Sequence, residues 1–452
     1  MDSSVKLEVL PQNIARYDVS TSEEVDHLVS DIRALQARAD SSVEDSVSKI
    51  VLDVRKRGDE ALLEFTRKFD FSGISDANQL KVHRSEIEQA YSKVDKSELR
   101  ALKIAARQIA FLSKEQLKRF GPKTLRTPLG FEIQENYIPF SRIGGYVPGG
   151  LAAYPSSVLM ISIPARTAGV KEIVLCTPAR KDGTVSEQVL VAADLCGVSE
   201  LFKVGGAQAV AALAYGTRMI SNVQLIAGPG NAYVAEAKRQ AASSGHLLID
   251  TIAGPTELLI VADKTASPKL IAEDLISQAE HGNKTICGLL TDSKEILDST
   301  IKILSSEVGS RPRAEQIGAC ILFGALVPST SFMIEFAQKF APEHLELMVK
   351  NSKPYEKILR ASSGLLLIGD YTPCSSTDYI VGTNHILPTG GTAASTPGLG
   401  VERFLKRSTI VKGSRSSLSK ASKLIEALAN SEGLPNHGAA ARARFPKSKG
   451  AK

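Results

Sequence analysis

Tryptophan is absent from the 452 residues, and the aromatic residues together make up only 5%. Single-stranded nucleic-acid binders use aromatic faces as stacking platforms, so a surface of that kind is excluded. Cysteine is scarce as well: Cys176, Cys196, Cys287, Cys320 and Cys374 are scattered, odd in number and form no Cys-x-x-Cys pair. Neither a disulfide framework nor a cysteine zinc site is implied, which suits a reducing compartment. No run reaches membrane-spanning length, and the first residues hold no apolar signal-peptide core. The expectation is a soluble cytoplasmic protein with no membrane partner. One sign of charge hardly dominates: the net charge is +6 at pH 7. Much of it comes from Arg442, Arg444, Lys447, Lys449 and Lys452, read as a solvated tail. A nucleic-acid partner would want a basic stripe on a folded face, and none can be read.

What is present is an ordinary globular composition, 43% hydrophobic and 23% charged, in a chain long enough for two or three domains. Residues 1–130 read as a mostly helical leader, with amphipathic stretches at 44–68 and 96–120, packed on the second of two later α/β units. From residue 131 the pattern changes. Strand 132–139 leads into Gly144-Gly145-Tyr146-Val147-Pro148-Gly149-Gly150, and short strands then alternate with helices of about ten residues. Residues 131–250 read as a first α/β domain and 251–381 as a second. The fold class is therefore α/β, with two adjacent Rossmann-like parallel-sheet domains. Residues 382–452, rich in Gly, Thr, Pro and Ser, read as an extended arm with a small helical end and a basic tail.

Two strand-to-helix turns are glycine-rich, Val204-Gly205-Gly206-Ala207-Gln208 and Ala227-Gly228-Pro229-Gly230-Asn231. Backbone N–H groups at such turns approach anions closely, and ligands of open α/β sheets bind beyond the carboxyl ends of strands. Neither turn is Gly-x-Gly-x-x-Gly. Together with the Tyr146 loop they suggest a phosphate-bearing cofactor. Further on, Gln278 and His281 stand three apart on an apolar-periodic helix, 268–280, so both side chains would leave one face. Taken alone, the pair is what any solvated helix end could carry. Downstream come Ala341-Pro342-Glu343-His344, Thr377-Asp378-Tyr379, Asn384-His385 and Glu432-Gly433-Leu434-Pro435-Asn436-His437. Adjacent Glu343 and His344 can face one cleft only in a turn, where they suit water activation and proton acceptance. Four histidines and Asp378 in polar clusters resemble a dispersed N/O metal site that suits zinc, with cobalt and manganese open.

These segments, from about residue 45 to residue 440, resemble the histidinol dehydrogenase family. The likeness rests on Gly145–Gly150, Tyr154–Met160, Gly205–Ala209, Gly228–Asn231, Ala253–Glu257, Gln278–His281, Ala341–His344, Asn384–Thr389 and Glu432–Leu434. It implies oxidation of L-histidinol by two NAD to L-histidine, through an aldehyde that stays bound. It implies one zinc ion per subunit, held by Gln278, His281, Asp378 and His437 and completed by substrate imidazole and amine. Glu343 and His344 would be the catalytic pair; Tyr146, Gln208 and Asn231 would contact NAD; Thr256, His344 and Glu432 would contact the substrate. His385 would play a supporting part. Family members are homodimers whose C-terminal segment reaches the neighbouring site, so Glu432 and His437 would serve the partner. Cys287 and Cys374 are read as bystanders, one in a buried strand and one in a loop.

Some positions depart from the commonest family pattern. Thr256 stands where many members have Ser, Gly282 where Asp is common, and Thr377 where Gly is common. Ala393-Ala394-Ser395 lacks a frequent Arg-Phe. Relatives with related substitutions oxidise other small polar alcohols, including a sulfonated propanediol, which is the rival reading of the substrate. A zinc hydrolase lacks support, since there is no His-Glu-x-x-His.

Overall fold

The structure is a computed structural model that describes residues 6–10, 14–37, 41–149, 153–243, 245–252, 254–282 and 284–445. Gly150 and Ala253 from the motifs above, and Lys447, Lys449 and Lys452 of the tail, lie outside the described residues. The chain divides into two compact units, one made of Met1–Lys114 with Phe140–Phe404 and one of Glu115–Pro139 with Leu405–Lys452. Among the described residues no helix is long and apolar enough to cross a membrane.

The larger unit is built on two parallel sheets, as an α/β chain of this pattern requires. The first has five strands in the order Glu200–Lys203, Glu172–Thr177, Arg142–Tyr146, Leu225–Ala227, Leu248–Ile249, each pair parallel. The second has seven, in the order Lys6–Leu10, Ile14–Asp18, Ile321–Leu326, Ile286–Thr291, Glu257–Ala262, His344–Met348, Leu365–Ile368. Only the Lys6–Leu10 edge is antiparallel. The inner strands bury every residue, as in Glu257–Ala262 and Ile286–Thr291, because helices cover both faces.

The leader divides its packing. Its strands Lys6–Leu10 and Ile14–Asp18 extend the seven-stranded sheet, and Val25, Leu28 and Ile32 of helix Ser22–Ala37 pack with Phe336 and Phe340 behind that sheet. Helix Ser41–Arg57 instead lays Val47, Ile50 and Val54 against Phe202, Val210 and Leu213, closing a face of the five-stranded sheet. Leader residues thus build walls for both sheets and not for the second alone. The smaller unit joins residues far apart in sequence. Leu405–Lys412 and Lys123–Arg126 flank Glu132–Pro139 in an antiparallel sheet, accompanied by helices Arg415–Ser431 and Pro435–Arg442. Residues 382–404, read as the start of an arm, belong to the larger unit.

Helix Pro155–Ala168 gives no amphipathic signal because Ser157 to Ala165 are buried on every face. Its boundaries still follow local rules, with Pro155 in the first turn and Gly169 ending it at φ 100°. The Gly228 turn is fixed by an internal ion pair. Lys238 and Asp250 are each only 1% exposed at the side chain. Lys238 Nζ donates to Asp250 Oδ1 and, at 3.0 Å, to the Gly228 carbonyl, while Gly228 N–H donates to Asp250 Oδ2 at 2.7 Å. Gly228 has φ +120°, and a Cβ there would fall 2.1 Å from the Tyr146 carbonyl oxygen. Lys238→Met would strand a buried carboxylate, so it is expected to lower unfolding free energy by about 3–5 kcal/mol. Replacing both partners with apolar residues should recover much of that loss in a urea titration.

Candidate active site

The two sheets present opposite ends to chemistry. In the five-stranded sheet the singled-out residues lie at carboxyl ends of strands: Tyr146 closes its strand, and Gly205-Gly206 and Gly228 follow theirs. Here a cavity of about 1450 Å³ is lined by Tyr146, Gly206, Gln208 and Asn231. Gly206 N–H donates to the Tyr146 hydroxyl at 3.1 Å, and burial pushes that phenol up to about 12. Gln208 is 1% exposed, and its Nε2 has no hydrogen-bond partner among the described residues. Asn231 is a helix cap, its Oδ1 accepting from the N–H groups of Tyr233 and Val234, both at 3.1 Å. Lys49, Lys56, Lys68, Arg180 and Lys181 also line the cavity. Cations, an orphaned amide and a helix start at Gly206 suit a ligand carrying a diphosphate.

In the seven-stranded sheet the cluster lies at amino ends instead. Helix Thr330–Phe340 stops at Ala341, which takes a left-handed φ of 45°, and Pro342 follows. That break leaves Glu343 just before the strand and makes His344 its first residue, opposite Leu258 of the neighbouring strand. Adjacent side chains therefore converge: Glu343 Oε2 lies 3.6 Å from His344 Nδ1. Glu343 Oε2 accepts from the Thr256 hydroxyl and, at 2.9 Å, from Glu257 N–H. Thr256 in turn accepts from Gln278 Nε2 at 2.6 Å. His344 Nδ1 lies 3.3 Å from the Glu257 carbonyl, which can only accept, so the proton sits on Nδ1. Its Nε2 is buried with no partner among the described residues. Burial opposes charge on this imidazole, but Cys374 and Glu343 outweigh it and hold its pKa well above the usual histidine value.

Asp378 lies on the short helix Cys374–Tyr379, with Oδ1 3.9 Å from His344 Nε2 and 4.0 Å from His385 Nδ1. His385 also lies 3.5 Å from Ser157 Oγ, and burial lowers its pKa. Cys374, read from sequence as a loop bystander, opens that helix and faces the cluster; its Sγ is 3.3 Å from Gln278 Oε1. The ligand atoms of His344, Cys374 and Asp378 all lie within 4.8 Å of one another.

Of the residues the sequence singled out, Thr256, Gln278, Glu343, His344, Asp378 and His385 are gathered here. Gln278 and His281 do not share an environment. The helix ends at Ala279, so Gln278 is 2% exposed while His281 lies in the following turn, exposed. Glu432 and His437 belong to the smaller unit, both exposed, one at a helix end and one on the last helix. Sequence reasoning passed over Glu257, Arg33 and Asp70. Only Glu257 had a signal, as a buried-strand carboxylate beside a singled-out threonine.

Comparison with known proteins decides the family. The histidinol dehydrogenase family profile matches residues 34–445. The chain belongs to the histidinol dehydrogenase family. Histidinol dehydrogenase from Geobacter sulfurreducens is 42% identical over 420 residues, 90% of this chain and 95% of that protein. The Clostridium acetobutylicum enzyme is 40% identical over 417 residues, 92% of this chain and 95% of its own. The crystal structure of histidinol dehydrogenase from Elizabethkingia anophelis matches with TM-score 0.89 at 32% identity, covering 97% of this chain and 99% of that one. The chain is thus an oxidoreductase, with the α/β architecture of histidinol dehydrogenases.

Asp70 shows what the cavity beside the five-stranded sheet costs this histidinol dehydrogenase family member. Its Oδ2 accepts from Gly205 N–H at 3.0 Å, yet burial dominates and lifts its pKa to about 6. A carboxyl raised in the folded state is no burden at acid pH, where folded and unfolded chains both carry its proton. The burden appears as pH rises toward 6 and stays above it. Asp70→Asn keeps an acceptor for Gly205, so it should stabilise the protein at neutral pH by about 1–2 kcal/mol. That gain should fade as pH falls below about 6, checked by urea unfolding across pH.

Proposed function

We propose that this chain oxidises L-histidinol to L-histidine through bound L-histidinal, passing two hydrides in turn to NAD. Family membership supports the reaction. The single observation that carries it to this chain is the Gln278–Thr256–Glu343–His344 network beside Asp378. In its neutral, Nδ1-protonated form His344 presents an unpartnered Nε2 and can take the substrate hydroxyl proton as hydride leaves; its raised pKa makes it a stronger base and places that form on the alkaline side. Glu343 spends one oxygen on Thr256 and Glu257, which aims the carboxylate, and its Oε1 can accept a proton from the water that attacks the aldehyde. The hydrate then loses the second hydride. No cysteine nucleophile is required.

NAD would occupy the cavity at Tyr146, Gln208 and Asn231, its diphosphate near Gly206 and the surrounding cations. Zinc would be held by Gln278 and Asp378, joined by His281 and by Glu432 and His437 acting on a neighbouring subunit, the histidines as ligands and Glu432 on the substrate. The oxygen donors of Gln278 and Asp378, the first of them buried, together with imidazole nitrogen suit a borderline cation. When bound, that ion fixes the substrate imidazole and amine. Exposed Leu424, Leu428 and Leu434 on the smaller unit support a homodimer. A reducing, cytoplasmic setting fits five buried free thiols.

The test is NADH formed per L-histidinol by zinc-loaded protein, with the product identified. Two NADH and histidine are expected. NADH from a sulfonated propanediol, and none from histidinol, would replace the substrate. His344→Gln should lower kcat by about 10²–10⁴ while leaving NAD binding, followed by fluorescence, nearly unchanged.

A further inference from the structure

We propose that Asp70 sets the choice of dinucleotide: its carboxylate accepts from the adenosine ribose hydroxyls of NAD and turns away the 2′-phosphate of NADP. The inference rests on the reading above, in which the cavity beside the five-stranded sheet takes the cofactor.

In dinucleotide-binding α/β sheets an acidic residue holds the ribose hydroxyls, and a basic one near that place accommodates a 2′-phosphate instead. The strand next to Arg142–Tyr146 is Glu172–Thr177, which sets Cys176 opposite Tyr146. It runs out into Pro178-Ala179-Arg180-Lys181, and all four residues line the cavity. Taken alone, that strand end offers two cations and no carboxylate, and Lys49, Lys56 and Lys68 line the same cavity. Such a site would welcome a further phosphate.

Asp70 supplies the missing acid from another part of the chain. It ends helix Asp59–Phe69, its N–H bonded to the Thr66 carbonyl at 2.9 Å, and it lines the cavity. A Cβ on Gly205 would fall 2.7 Å from Pro178 Cβ and 2.9 Å from Asp70 Oδ1. The carboxylate is therefore packed where the turns after Glu172–Thr177 and Glu200–Lys203 meet. Asp53, the other acidic residue of the lining, is already forked by Arg57. Asp70 forms no ion pair among the described residues, and Gly205 N–H, on Oδ2, is its one donor there. Burial unanswered by any cation is what raises its pKa. A carboxylate so placed lacks donors, and the neighbouring hydroxyls of a ribose are donors. A 2′-phosphate offers only acceptors and sets like charge against it at short range.

Calorimetric titration of NAD and of NADP onto the full-length protein tests this without turnover. NAD should bind about 100-fold tighter than NADP. Asp70→Asn, which keeps an acceptor for Gly205, should bind NAD about tenfold more weakly and NADP about tenfold more tightly. Opposite shifts are the signature, because losing a negative charge beside an anionic ligand would otherwise tighten both. 2′-Deoxy-NAD should bind the unmutated protein about tenfold more weakly than NAD. Both cofactors shifted in one direction, or neither shifted, overturns the role of Asp70 and leaves the cofactor site standing. Deoxy-NAD bound as tightly as NAD overturns it too, whatever the variant does. No NAD bound by the unmutated protein overturns that site and the proposal with it.

Discussion

Glu257 is the constraint on which the amino-end cluster of the seven-stranded sheet depends. Its side chain is fully buried at the start of a central strand, where an unpaired carboxylate would be prohibitive. Three parts of the chain converge to satisfy it. Arg33 of the leader pairs with it, Gly390 N–H donates at 2.9 Å, and Glu343 N–H approaches at 3.3 Å. Arg33 is itself held over the Phe340 ring at 3.9 Å and donates to the Phe340 carbonyl, at the helix end that precedes Ala341. One carboxylate therefore ties the leader, the Ala341-Pro342 turn and the Thr389-Gly390 segment to a single strand. Its backbone does the rest, its N–H holding Glu343 and its carbonyl selecting the His344 tautomer.

The same logic serves the other sheet with a different pair. Lys238 and Asp250 bracket the Gly228 turn, which carries Asn231 on one side and touches Tyr146 on the other. Both ion pairs hold backbone loops in place; neither touches a reacting atom. A buried pair contributes little net stability against an apolar replacement, so positional specificity is the better account of why these loops are built this way. It also explains why glycine is needed at Gly228, where the turn leaves no room for a side chain against the Tyr146 carbonyl.

The alternating pattern of strands and helices was legible because inner strands are short apolar runs and their helices amphipathic, as in Glu257–Ala262 followed by Pro268–Ala279. What escaped was non-local. Ile14–Asp18 is a strand because Leu322–Leu326, more than three hundred positions away, offers an edge to pair with, and Lys6–Leu10 pairs in turn with Ile14–Asp18. Pro155–Ala168 hides its period by being buried all round. In the site, polar residues in turn-flanked motifs such as Glu343-His344 announced themselves. Asp70 could not, because nothing in a helical leader marks the one carboxylate that will meet Gly205. Nor did Cys374 announce its place at the start of a helix, since its contact with Gln278 joins residues ninety-six positions apart.

The place of Cys374 bears on how the cleft is packed. The short helix Cys374–Tyr379 turns its first and fifth residues toward His344. A thiol there differs from an alcohol or a carboxylate in two ways. It is poorly solvated, so it tolerates the burial seen here, and that burial holds its pKa up at about 12. It also donates only a weak hydrogen bond, here to Gln278 Oε1 at 3.3 Å. The cleft sets the Cys374 thiol against Gln278 and leaves His344 Nε2 without a hydrogen-bond partner among the described residues. A buried imidazole nitrogen left open in this way is where a bound molecule has most to offer the cleft.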